Sequence, residues 1–461
     1  MDPGLDSAAS FAPVFAHGIV GRADLPIPAE LFAAAAAAVL VVSFFGLATL
    51  WSAPRLQEPR ERRLFEVPRV VEVVAGALGV AAFALAAYAG LAGTDSQQDN
   101  LAPGAVYVFF WVAIPALSIV FGDVFRAFSP WRAIGRAAGW VATRVTGLGA
   151  MPEPLAYPER LGRWPAVAGL LAFGLCELVW GAGREPAPLA VLMLVYLAVG
   201  LVGMSVYGVE RWTRDGDAFG AYFGLFAHLA PLGTRDGAVV LRRPGTGAVG
   251  LRPVPGTVAL LLAGIAITAF DGAAEGPLFT AVAPALQDGF TGLGLSIPVA
   301  LELALAVGLA VTICIVAAIY WGAVTGMPHG KHASRGKLGG ALAHSLIPIL
   351  AVYVVAHYFS LLAYGGQDLW RLLSDPLGDG SDLLGGAGSS IDYSVVSATA
   401  IWYVQVGALV AGHVAALVLA HDRALVLYGN SRDATRSQLV MLVLMVCFTF
   451  LGLWLLSVGN A

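Results

Sequence analysis

Ionisable side chains interrupt several of the longest apolar segments in this sequence. Glu177, Asp271, Glu302 and His357 each lie within or at the end of an apolar run long enough to cross a bilayer. A charged group is costly in the hydrocarbon core, so such residues usually mark a route for protons or ions, or a substrate site. With a helical rise of about 1.5 Å per residue, Glu177, Glu302 and His357 share the middle-to-outer depth. We therefore predict a proton or cation pathway; hydrogen-bonded packing of neutral groups is the alternative.

Polar side chains recur along one face of the predicted helix that carries His357. Tyr353 lies four residues before it, Ser360 three after it and Tyr364 seven after it, which is the spacing of one helical face. A polar face of a membrane helix contacts protein or water rather than lipid. Gln405, on the following helix, is predicted at a similar depth, and we expect it to face this stripe.

Two further histidines are predicted nearer the cytoplasmic ends of the same two helices. His344 and His413 could together ligate a haem iron or a copper ion, although no third ligand or known ligand spacing accompanies them. His329 and His332 form an H-x-x-H pattern in a basic loop. We interpret that loop as a solvated segment facing phosphate or lipid headgroups rather than as a metal site.

Composition assigns the chain to the membrane class. Of its 461 residues, 58% are hydrophobic and 12% are charged, about half the charged share of an average soluble domain. A formal net charge of −4 argues against a nucleic-acid partner. The G-x-S-x-G, H-E-x-x-H and Walker A motifs of soluble hydrolases and nucleotide-binding proteins are absent from the sequence.

Ten apolar segments are long enough to be membrane-spanning helices. They cover residues 29–51, 70–93, 104–122, 164–181, 187–208, 255–271, 292–322, 341–365, 397–420 and 438–457. Arginine and lysine favour cytoplasmic loops, and 23 of the 26 lie in alternate loops, 52–69, 123–163, 209–254, 323–340 and 421–437. This distribution predicts ten spans with both termini outside.

The longer loops have features of their own. The cytoplasmic loop 123–163 begins with an amphipathic pattern that predicts an interfacial helix broken near Ser129–Pro130. The cytoplasmic loop 209–254 mixes Trp212, Tyr222 and Phe223 with arginines in the same way. Its end, residues 237–256, is compatible with a small β-hairpin. The aspartate-rich outer loop 366–396 is expected to cap the outer mouth or to bind a cation.

These observations predict an all-α integral membrane protein. Residues 29–460 form a single transmembrane domain and residues 1–28 an extracytoplasmic segment. Ten spans divide into two sets of five, and the second set would insert inverted relative to the first, as in many transporters. The expected location is the plasma (inner) membrane of a bacterium.

Four stretches resemble a bacterial family of polytopic membrane proteins commonly labelled fenitrothion hydrolase. They are "AHGIVGRADLPIP" (16–28), "HSLIPILAVYVVAHYFSLL" (344–362), "SDPLGDGSDLLG" (374–385) and "IWYVQVGALVAGHVAALVLAHDRAL" (401–425). The resemblance covers nearly the full chain. It implies hydrolysis of an organophosphorus ester, which requires a metal or an activated nucleophile. It assigns no catalytic residues.

Three hypotheses follow for a protein whose partners are the lipid bilayer and a small-molecule or ion substrate. The first is a transporter or permease that moves an ion- or proton-coupled solute by way of Glu177, Glu302 and His357. The second is a membrane-bound organophosphorus-ester hydrolase or its subunit. The third is a haem- or copper-binding membrane protein that uses His344 and His413.

Overall fold

The computed structural model describes residues 29–58, 60–145, 153–328 and 335–458. The predicted N-terminal segment 1–28 and the pair His329 and His332 lie outside the described residues. The helices are α1 Ala29–Leu50, α2 Arg69–Ala92, α3 Leu101–Phe121, α4 Val124–Phe128, α5 Pro130–Val145, α6 Trp164–Leu178, α7 Pro186–Tyr207, α8 Ala218–Ala227, α9 Thr257–Ala274, α10 Pro277–Gly292, α11 Ile297–Gly326, α12 Arg335–Leu342, α13 Leu346–Ser374, α14 Ala398–Tyr428 and α15 Ser431–Val458. The strands are β1 Arg62–Glu66, β2 Leu232–Arg235 and β3 Ala238–Leu241.

Apolar helices dominate the fold, as the composition predicts. Among the described residues, seven helices are long and apolar enough to cross a membrane: α2, α3, α7, α9, α11, α13 and α14. The other three predicted spans are also helical, as α1, α6 and α15. Of these three, α6 has only 15 residues, fewer than a helix needs to cross a bilayer. The all-α membrane class is thus supported by seven helices.

Local sequence explains where several of these helices begin and end. Proline in the first turn of α6, α7 and α11 removes an amide that has no acceptor within the helix. At the start of α14, the Ser397 hydroxyl accepts a hydrogen bond from the Ala400 amide. The same helix ends at Gly429, whose φ of 70° is the left-handed conformation that favours glycine.

The arginine-rich loops contact one another at one end of the helices, which we call the basic side. Strand β1, after α1, pairs antiparallel with β3, and β2 completes a sheet of order β1-β3-β2. The predicted hairpin therefore forms between β2 and β3, earlier than expected, because Asp236 and Gly237 both have positive φ and make the turn. Residues 246–250 form a 3-10 turn instead.

The predicted break in the first long basic loop is confirmed, since α4 and α5 meet at Ser129. The start of α5 is buried: Trp131 is 4% exposed and Arg132 is 7% exposed. The Arg132 guanidinium donates hydrogen bonds to Glu210. Trp140, nine residues after Trp131, is largely exposed.

Helix α8 enters the interior of the helical bundle. It packs against α3, α6, α9 and α13, and Phe219, Tyr222 and Phe223 on it are fully buried or nearly so. The prediction that Tyr222 and Phe223 belong to an interfacial loop is wrong. Ten apolar residues are too few to span a membrane, but they are enough to fill a core.

The opposite, arginine-poor side also differs from the sequence-based expectation. Helix α10 occupies most of the interval that separates the predicted sixth and seventh spans. Helix α13 continues to Ser374, so the loop expected at 366–396 begins only at Asp375. That loop is tied to the α2–α3 loop, because the Thr94 amide donates to the Leu377 carbonyl over 2.8 Å.

Aspartates of this loop stabilise the loop itself. The Asp375 carboxylate accepts hydrogen bonds from the Asp379 and Gly380 amides and from the Ser381 hydroxyl. Asp392 accepts in the same way from the amide and hydroxyl of Ser394. These hydrogen bonds give the two carboxylates a structural role in the loop that does not depend on a bound cation.

Candidate functional site

A histidine and an aspartate from two different helices form a buried pair. His357 on α13 places its Nε2 atom 2.9 Å from Oδ2 of Asp271 on α9, so the ring N–H donates a hydrogen bond to the carboxylate. The Asp271 side chain is 2% exposed and the His357 side chain 21% exposed. The pair therefore combines a buried acid with an imidazole that keeps some accessible surface.

Glu177 on α6 brings a second buried carboxylate to this pair. Its side chain is 4% exposed, and it interacts electrostatically with Asp271 and Arg184. Gly174, one turn earlier, lets α6 approach α9 closely, since a Cβ there would lie 3.0 Å from Ile267 side-chain atoms. The close approach of the two helices brings Glu177 near Asp271.

Glu275 adds a third acid one turn beyond Asp271, where α9 has ended. Burial, followed by the negative charge of Asp271, raises the pKa of Glu275 to about 7, against opposing effects of His357 and Arg184. We call Glu177, Asp271, Glu275 and His357 the acid–histidine cluster. With every acid ionised and both His357 and Arg184 protonated, these groups would sum to one negative charge, so the cluster can accept a further proton.

Aromatic side chains enclose the cluster. Trp111 and Tyr107 lie on a π-helical stretch of α3, Gly104–Ala113, and wide turns of this kind are often found at functional sites. The Trp111 Nε1 atom donates to the Tyr358 hydroxyl over 3.4 Å, and its ring stacks on Tyr222 with centroids 5.3 Å apart. Tyr358 also interacts with Asp271. One tryptophan thus contacts two tyrosines next to the buried acids.

Glu302, which the sequence places at the depth of Glu177 and His357, is hydrogen-bonded to the turn that follows α6. Its Oε1 atom accepts a hydrogen bond from the Gly181 amide over 2.9 Å, at the start of the 3-10 turn that ends at Arg184. Tyr107 holds the same turn, because its hydroxyl donates to the Gly183 carbonyl over 2.7 Å. Glu302 thus supports the turn that carries Arg184, and its role in the pathway stays a prediction.

The polar stripe of α13 divides among separate partners. The Tyr353 ring lies 6.5 Å from the His413 ring, and the Tyr364 hydroxyl donates to the Val396 carbonyl over 2.8 Å. Ser360 and Gln405 are buried. In the described part of the chain no hydrogen bond joins either of them to His357, and the facing of Gln405 toward the stripe stays a prediction.

His344 and His413 do not face a common centre. The His413 ring packs near Tyr353, which lies nine residues beyond His344 and so about 13 Å along the helix axis. Metal–nitrogen bonds are only about 2 Å long. Each Nδ1 atom contacts a carbonyl of its own helical segment, at Ala341 and Leu409 respectively. Among the described residues, no group of three or more histidine, cysteine, aspartate or glutamate side chains is placed to hold a metal ion.

Comparisons of the chain with protein-family models, with curated proteins and with solved structures found no match.

Proposed function

We propose that this protein is a membrane transporter that couples the movement of a small solute to protons through the acid–histidine cluster. The hydrogen-bonded pair of Asp271 and His357, beside the buried carboxylate of Glu177, is the observation that supports this proposal most directly. Carboxylates and imidazoles buried in a membrane protein exchange protons and are retained where a proton route needs them.

The chemistry of the four groups favours protons over metal cations. A cationic arginine and a protonatable histidine lie beside the acids and would repel Na⁺, whereas a proton binds to any of these acids directly. Glu275 is half-buried at the arginine-poor end of α9, and its pKa of about 7 allows it to gain and lose a proton near neutral pH. It is suited to pass protons between the exterior and the pair of His357 and Asp271.

The topology that accompanies this proposal has ten spans, both termini outside and a location in the bacterial plasma membrane. Its support is the distribution of arginine and lysine, together with the contacts between alternate loops. The loops after α1 and after α8 share one sheet, and Asp422 at the end of α14 accepts a hydrogen bond of 2.6 Å from the Arg55 amide. The inverted arrangement of two five-helix halves is retained as part of the proposal.

A flux measurement tests the function. The purified protein would be reconstituted into vesicles that contain a pH-sensitive dye, and a potassium gradient with valinomycin would impose a membrane potential. We expect proton entry above the rate of protein-free vesicles, either spontaneously or on addition of a solute from a panel of amines, organic acids, sugars and amino acids. A rate equal to that of protein-free vesicles for every member of the panel would count against the proposal.

Hydrolysis of an organophosphorus ester is a second candidate. A histidine oriented by a carboxylate is the general-base part of many hydrolytic sites, and His357 and Asp271 have this geometry. In the described residues no serine, threonine or cysteine is hydrogen-bonded to His357, so the nucleophile would be water. An assay of phosphotriester turnover by wild type and by His357→Gln decides this candidate, and the absence of turnover by wild type would remove it.

A further inference from the structure

Two buried polar atoms near the acid–histidine cluster have no hydrogen-bond partner within the described protein. They are Oε2 of Glu177 and the hydroxyl of Tyr222. Glu177 is 4% exposed and Tyr222 is completely buried. Leaving a buried donor or acceptor unsatisfied is unfavourable, so two of them in one region indicate a small polar ligand that both can bind.

The two atoms lie in the same region of the interior. Tyr222 and Glu177 interact electrostatically, although no hydrogen bond joins them directly. The Trp111 ring, stacked on Tyr222, contacts the Tyr358 hydroxyl with its Nε1 atom, and Tyr358 in turn interacts with Glu177. Polar groups from α6, α8 and α13 therefore lie in one neighbourhood beside Trp111.

We propose that Glu177 and Tyr222 bind a water molecule between them, with the Tyr358 hydroxyl as a third neighbour. Buried waters typically make about three hydrogen bonds to otherwise unsatisfied groups, and these three residues supply that number. A metal cation fits less well, because Tyr222 and Tyr358 are neutral hydroxyls and Arg184 is near the same carboxylate.

The water would connect the acid–histidine cluster with α8. When Glu177 is ionised, the water donates a hydrogen bond to Oε2 and accepts one from the Tyr222 hydroxyl. When Glu177 is protonated, the carboxylic acid donates to the water, and the water donates to the Tyr222 oxygen. This reversal requires only rotation of the water and of the Tyr222 hydroxyl. The one covalent change is the protonation of Glu177 itself. Its use as the continuation of a proton route rests on the proposed function; the water site itself does not.

The charged and titratable groups that interact with Glu177 come from five other elements: Asp271 on α9, Arg184 in the 3-10 turn, Tyr107 on α3, Tyr222 on α8 and Tyr358 on α13.

Infrared difference spectroscopy of the purified protein tests the water site. Spectra at acidic pH minus neutral pH would be recorded in H₂¹⁶O and in H₂¹⁸O, because only O–H bands of water shift with the oxygen isotope. The variants are Glu177→Gln and Tyr222→Phe, the second of which keeps the ring that stacks on Trp111. Tyr107→Phe is the control, since that hydroxyl already donates to the Gly183 carbonyl.

We expect an isotope-sensitive water band in wild type and in Tyr107→Phe, and its loss in Glu177→Gln and Tyr222→Phe. Absence of the band in wild type, or its persistence in both variants, would overturn the proposal. Melting temperatures of the variants close to that of wild type would show that loss of the band is not due to unfolding. A band of the expected behaviour in a protein without proton flux would leave the water site in place and remove the proposed function alone.

Discussion

The Nε2 atom of His357 and the Oδ2 atom of Asp271 are 2.9 Å apart, although the two residues are 86 positions apart in the sequence. The pair joins α9 to α13 in the interior. Removing one member of a buried, hydrogen-bonded charge pair typically costs about 3–5 kcal/mol, because the other member is left without a partner.

We expect Asp271→Ala and His357→Leu each to lower the free energy of unfolding by an amount of this order. The double variant should lose less than the two single losses combined, with a coupling energy of about 0.5–3 kcal/mol. Denaturant unfolding in detergent micelles measures these energies. The exposed pair of Asp99 and Arg371 is the control, for which coupling of about 1 kcal/mol or less is expected. Additive losses at Asp271 and His357 would mean that the pair is not formed.

Glu275 should make stability depend on pH. Its pKa is about 7 in the folded protein against an ordinary value of 4.5, so the folded state holds this proton more tightly than the unfolded state does. The resulting stabilisation is fully present below about pH 4.5 and is lost as the pH rises through about 7.

Melting temperatures measured from pH 4.5 to pH 8 should therefore fall more steeply for wild type than for Glu275→Gln. Asp288→Asn, at an exposed position on α10, should keep the slope of wild type. Identical slopes for wild type and Glu275→Gln would show that Glu275 does not titrate in this range.

Two glycines one turn apart on α7 test the packing of the segment that leads into α8. A Cβ at Gly203 would lie 2.2 Å from the Trp212 ring, whereas one at Gly200 would have nothing within 4 Å. We expect Gly203→Ala to lower the free energy of unfolding by about 1–3 kcal/mol through overpacking. Gly200→Ala should be neutral or slightly stabilising. Equal effects of the two substitutions would argue against the close contact between Trp212 and α7.

We expect that His344 and His413 do not hold a metal or a haem between them. Because about 13 Å of helix separates His344 from the residue that contacts His413, the two imidazoles cannot share an iron or copper ion. Elemental analysis and an absorption spectrum should give the same metal content and haem absorbance for wild type, His344→Ala and His413→Ala. A stoichiometric metal that is lost in His413→Ala would contradict this expectation.

The sequence identifies part of the candidate site because charge is conspicuous in an apolar segment. Glu177 and His357 are found in this way, and Asp271 is noticed at the end of its span. Glu275 is missed because it lies just past the apolar run, where a loop begins in the sequence. Tyr222 is missed because "AFGAYFGLFA" is too short for a span and lies among arginines.

The depth of a residue along its helix could be predicted, but the neighbouring helix that its side chain faces could not. Hydropathy places Glu302 and Gln405 at depths similar to that of His357, and the sequence therefore predicts that they lie near it. Which helices are neighbours depends on packing, such as the contact of Gly174 with Ile267, and this information is distributed over residues far apart in the chain. For the same reason His344 and His413 are paired by sequence position alone and are separated in the structure.

Proton flux through Asp271→Asn shows whether the acid–histidine cluster carries protons. Asparagine keeps the size of the side chain and its ability to bind His357, but it cannot exchange a proton near neutral pH. In reconstituted vesicles we predict that Asp271→Asn reduces the flux to the rate of protein-free vesicles, while Asp288→Asn retains the wild-type rate. Wild-type flux in a folded Asp271→Asn protein would contradict the account.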